Sequence, residues 1–163
     1  MVLKIDSYIM KLSWFGRMGM FKALKRGFMK MFREFVVYHH SSLEFRAKLL
    51  TLMVSSNGEM CDCEKQKLEE IAHKIYQDDQ ARAELLIDAV NEYHTKIITN
   101  NGLDFEHLLQ LVAKEVKEVK RFCQKIDIGI LADLMKCTED EEERLFQHRI
   151  LEFLQTLKQE CKV

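Results

Sequence analysis

Proline is absent from this chain of 163 residues, and glycine occurs only six times. The lack of proline removes ring-fixed turns, and the scarcity of glycine leaves few places where the backbone can take positive φ cheaply. No run of alternating apolar residues reaches strand length. Nothing approaches the roughly 18 consecutive apolar residues of a membrane-spanning helix. The apolar stretch near residue 8 is interrupted by Lys11, which makes a poor signal-peptide core. There is no glycine loop for phosphate, no dinucleotide fingerprint, and no serine or cysteine in a recognisable catalytic motif with a histidine. No enzyme and no cofactor is expected.

What remains favours helix. The chain is 47% hydrophobic and 31% charged, the balance of a soluble globular protein. Its Glu, Lys, Leu, Met and Ala content points to an all-α fold, a single compact bundle of six to seven helices. Five cysteines (Cys61, Cys63, Cys123, Cys137 and Cys161) are an odd number, and reduced thiols in a cytoplasmic protein are expected.

The net charge of −1 conceals an asymmetry. Residues 1–33 hold eight basic residues against Asp6 alone, a balance of +7, leaving 17 basic and 25 acidic residues, a balance of −8, in the remainder. Within this basic part Met10, Trp14, Met18, Phe21, Leu24, Phe28, Met31, Phe32 and Phe35 recur at steps of three and four, and Lys22, Arg26, Lys30 and Arg33 follow another face. The firm helix is placed at about 18–38, within a basic amphipathic segment, 1–40, that precedes a helical domain, 41–163. His39 and His40 are expected in a solvated linker.

Ser41 and Glu44 form a capping-box pattern, so a helix is expected from there to about residue 55. Cys61 or Asp62 caps the next, to about Tyr76, and Asp78 or Asp79 caps one over about 80–98. Asp104 caps a helix to about 121 with an apolar seam through Leu108, Leu111, Val112, Val116 and Val119. A segment over about 126–136 precedes a second capping box, Thr138 with Glu141. The last helix then carries Leu145, Phe146, Ile150, Phe153, Leu154 and Leu157 at helical spacing. Two stretches echo one another, 49–75 and 130–154: each reads as apolar helix, acidic turn, amphipathic helix.

The apolar "LLTLMV", the turn Ser56-Asn57-Gly58, Met60 two residues on and Glu64 six after the glycine resemble the TerB-like family, and "IDIGILADLM" with its acidic cap resembles that family's second motif. The family includes the tellurite-resistance protein TerB and the N-terminal domain of DjlA-type co-chaperones. The resemblance covers about residues 42–160. It implies a non-enzymatic, stress-related or co-chaperone-like interaction module, or alternatively a tellurite-resistance-type protein that binds a divalent cation. Asn57 stands where the family carries aspartate, and without proline the chain cannot hold the His-Pro-Asp of a J domain.

Two sets of site residues follow. The turn offers Asn57, Glu59, Asp62 and Glu64 as a weak hard-cation set. Its more economical reading is structural, with Gly58 at positive φ and Glu64 closing a helix N-terminus. Cys61-x-Cys63 has the wrong spacing for a zinc knuckle or redox pair, so no role is assigned to it. Glu70-x-x-His73 and Asp104-x-x-His107 lack the further glutamates of a di-iron bundle. The second set is Trp14, Phe21, Lys22, Lys25, Arg26, Phe28, Lys30, Phe32 and Arg33. Its apolar face needs cover, from the rest of the chain, from a second copy in a homodimer, or from a protein partner or anionic membrane surface reached through residues 1–38. Nucleic acid is not expected, because the acidic remainder would repel phosphate. The place expected is cytoplasmic, peripheral at the inner membrane.

Overall fold

The computed structural model describes residues 41–56 and 58–161. The expected helix at 18–38, the linker histidines, the whole basic and aromatic set from Trp14 to Arg33, and Asn57 lie outside the described residues. Residues from Ser41 onward form a compact unit of their own.

That unit is all-α. The described residues contain helix α1 over 41–54, α2 (Asp62–Ile75), α3 (Gln80–Ile98), α4 (Phe105–Glu118), α5 (Ile128–Leu134) and α6 (Glu141–Glu160), with 3-10 turns at Lys120–Lys125 and Met135–Cys137. No strand occurs among them.

Helix α1 is the hub. Leu43, Phe45, Ala47, Leu49, Leu50, Leu52, Met53 and Val54 are all buried, so apolar residues face inward around the whole circumference. A helix apolar on every side must be surrounded by others. Its two buried polar members are accommodated: the Thr51 hydroxyl donates to the Ala47 carbonyl at 2.7 Å, and Lys48 is paired with Glu115. The surrounding helices each contribute a stripe, such as Leu68, Ile71 and Ala72 from α2 or Leu108, Val112 and Val116 from α4.

Helix starts follow local capping chemistry in most places. The side chains of Cys61, Asp79, Asp104, Asp127 and Asp140 each accept from a backbone N–H three residues on. Ser41 lies at the first described position of α1, and its hydroxyl accepts from Arg121 at 2.8 Å. One expected start fails. Thr138 yields to Asp140 as the cap of α6 because its hydroxyl donates to Gln147 at 2.8 Å. Helix α4 stops at Glu118, short of the expected 121, where the 3-10 turn takes over.

The face of α6 also differs from expectation. Ile150, Leu151, Leu154 and Leu157 are buried together with Gln147, while Leu145 and Phe146 are exposed. The exposed Phe146 packs its ring at 5.2 Å from that of Phe105.

Candidate functional site

The two echoing stretches meet turn against turn. The first turn leaves α1 at Ser55 and Ser56, passes Gly58 at φ +108°, buries Met60, and enters α2 at Cys61. Positive φ at Gly58 is where a side chain would be strained. Cys61 and Glu64 then close a reciprocal box. The Cys61 N–H donates to Glu64 Oε2 at 2.9 Å, and the Glu64 N–H donates to Cys61 Sγ at 3.4 Å. The sulfur stands where serine or threonine normally sits.

The second turn approaches from 137–143. Gln147, fully buried, donates through Nε2 to the Met53 carbonyl at 3.0 Å while its Oε1 accepts from Thr138. The Ser56 hydroxyl donates to Glu143 Oε1 at 2.7 Å. A disulfide joins Cys63 to Cys137, with Cα atoms 5.6 Å apart. Between the turns lies a cleft of about 420 Å³, walled by Cys61, Cys63, Glu64, Cys137, Glu139 and Glu143 among others.

The expectation of reduced thiols is therefore corrected. Cys63 is bonded to Cys137 and Cys123 to Cys161, leaving Cys61 as the free, exposed thiol. Both pairings are made by the fold across sequence separations of 74 and 38 residues, which no local spacing announces. Cys61-x-Cys63, given no role from sequence, supplies a helix cap and one end of a crosslink.

Electrostatically the turn is not a ready cation cage. Glu64 is only 3% exposed, and burial pushes its carboxyl above the usual glutamate value, against the lowering effect of its hydrogen bonds with Cys61; the nearby Glu143 raises it further. Asp62 points to solvent beside Lys65 at 3.8 Å, and Glu59 is exposed. Of the described members Glu59, Asp62 and Glu64, only Glu64 faces the cleft, and its Oε1 has no hydrogen-bond partner among the described residues. No group of three or more His, Cys, Asp and Glu side chains among the described residues could hold a metal ion. Asp104 caps α4 by accepting from the His107 N–H at 2.7 Å, and Glu70 pairs with Lys67 at 2.5 Å.

Sequence reasoning missed the contact of Ser55 Oγ with His94 Nδ1 at 2.9 Å, formed by residues 39 positions apart. His94 is buried, and desolvation pulls its imidazole below the ordinary value against the opposing influence of Glu59. Its Nε2, which in a catalytic triad would bond an orienting carboxylate or reach the nucleophile, is buried without a partner among the described residues. The pair holds the end of α1 to α3.

No helix among the described residues is long and apolar enough to cross a membrane. No protein-family model, curated protein or solved structure matches the chain.

Proposed function

We propose that the chain is a non-enzymatic, TerB-like interaction module, stress-related or co-chaperone-like, in which a compact helical domain carries the basic amphipathic residues 1–38 to an anionic membrane surface or an acidic protein partner. The carrying observation is the balance of +7 in residues 1–33 joined to the stripe of Trp14, Phe21, Phe28, Phe32 and Phe35. Burying such a side chain is worth roughly 1.5–3 kcal/mol, so the face is covered by something, and each basic residue near an anionic surface adds about 1 kcal/mol that salt screens. The meeting of the two acidic turns supports the TerB-like reading, since the stretches that resemble the family's two motifs form one end of the domain.

Sedimentation with liposomes tests the membrane arm. The full chain is expected to sediment with anionic but not neutral vesicles, to be released by high salt, and to lose binding when Lys22, Lys25, Arg26 and Lys30 are changed to Glu. Absence of binding, with unfolding of 41–163 on removal of 1–38, would sink the reading.

One observation favours a divalent-cation alternative: the unpartnered Glu64 Oε1 beside Glu143 in the cleft. Its raised pKa and the outward Asp62 weigh against it. Millimolar calcium is expected to move the melting temperature by no more than about a degree, whereas a ligand at 100 times its Kd would add about 2.7 kcal/mol. A large shift abolished by Glu64→Gln would reverse the order of the two readings.

A further inference from the structure

Cys61 is free and exposed, and it lines the same cleft as a disulfide whose Cys63 end is exposed and whose Cys137 end is half-buried. The other disulfide starts from a buried sulfur, at Cys123. We propose that Cys61, Cys63 and Cys137 form a solvent-open thiol–disulfide exchange site, in which Cys137 alternates between Cys63 and Cys61 as its partner.

The step balances without an external oxidant or reductant. Cys61 loses its thiol proton to solvent, and its thiolate attacks Cys137 Sγ. A Cys61–Cys137 bond forms as the Cys63–Cys137 bond breaks, and Cys63 leaves with the electron pair and takes a proton from solvent. One thiol and one disulfide are present before and after.

Position brings the thiol to the disulfide: Cys61 stands two residues before Cys63 and lines the same cleft as Cys63 and Cys137. Exchange also has a structural consequence. Cys61 Sγ accepts from the Glu64 N–H, so engaging it with Cys137 removes the sulfur from the cap of α2. The site thus couples its redox pairing to the turn where the two motifs meet.

The test uses the full oxidised chain, held at mildly alkaline pH without reductant and then trapped with iodoacetamide. Cleavage before Asp62 separates Cys61 from Cys63, so mass spectrometry reads each one. Label is expected on Cys61 in some molecules and on Cys63 in others, with Cys123 and Cys161 unlabelled. Cys61→Ser keeps a capping oxygen, and with it label on Cys63 should disappear. Cys63→Ser, treated with oxidised glutathione, should acquire a Cys61–Cys137 bond as glutathione is reduced. Label confined to Cys61 in the natural chain, together with no Cys61–Cys137 bond in Cys63→Ser, would overturn the proposal.

Discussion

Helix α6 is tied at both ends, and the ties differ in kind. Before its N-terminus, Cys137 reaches Cys63 in an open, acidic cleft that also contains Glu64 and a free thiol. At its C-terminus, Cys161 bonds to buried Cys123, whose neighbour Phe122 stacks on Phe45 with ring centroids 4.4 Å apart. Lys158 closes that end by donating to the Ile126 carbonyl at 2.6 Å. One end is held by a polar network around an accessible bridge, the other by apolar packing around a protected one. Chain statistics do not rank them that way: the longer loop belongs to the open bridge, so the more exposed crosslink constrains the unfolded chain slightly more.

The largest expected effect comes from deleting either bridge. In the chain-entropy account, loops of 74 and 38 residues are each worth about 4 kcal/mol, differing by only about 0.6 kcal/mol. Thermal melts of the Cys63→Ala/Cys137→Ala and Cys123→Ala/Cys161→Ala double variants should therefore show similar losses, each on the order of 10 °C or more. Kinetics should separate what thermodynamics does not. In limiting dithiothreitol, Cys63–Cys137 should be reduced first. Prior loss of Cys123–Cys161 would break the distinction between an open and a protected end.

Next in size is the polar network of the open end. Gln147→Leu removes the donor to Met53 and the acceptor for Thr138 in a site without solvent, at a cost of about 2–3 kcal/mol. Adding Thr138→Val should recover part of that loss, because the hydroxyl left without its acceptor is then gone too. A double variant as unstable as the sum of the two single changes would show that Thr138 and Gln147 do not act as a pair.

Gln147 also marks where the sequence stopped being readable. Starts at Asp79 and Asp104 were legible because a cap is decided within three residues. The all-α class was legible because helical periodicity repeats along the chain. The start of α6 was misassigned to Thr138 because that hydroxyl is claimed by a residue nine positions away. Leu145 and Phe146 share the helical spacing of the buried residues of α6 but are exposed, and spacing alone does not reveal that Gln147, once its amide is satisfied, takes the buried position. Glu64 was readable as a capping residue, since its partner is Cys61. The disulfides and the Ser55–His94 contact were not, since their partners are 38 to 74 positions apart and no local chemistry pairs them.

The smallest expected effect is a pH dependence confined to the open end, where Glu64 and His94 oppose one another. His94 has a folded pKa below its ordinary 6.5 because burial disfavours the imidazolium. The unfolded chain therefore binds its proton first, and the stability from His94 is present above pH 6.5 and lost as pH falls toward the folded value. Glu64 has a folded pKa above 4.5, so its contribution is present below pH 4.5 and lost as pH rises through the folded value. Asp133, lowered by Lys136, acts only at or below the ordinary aspartate value of 3.8. As pH falls below 6.5, acidification should thus cost stability through His94, while Glu64 returns some of it as the pH approaches 4.5. His94→Gln should flatten the profile of melting temperature against pH, and Glu64→Gln should steepen the loss on the acid side. The buried apolar stack at the other end has no titrating member, so Phe122→Leu should lower the whole profile without changing its slope. A Phe122→Leu profile with altered slope, or a Glu64→Gln profile shallower than that of the natural chain, would show that the titration is not local to the end where the turns meet.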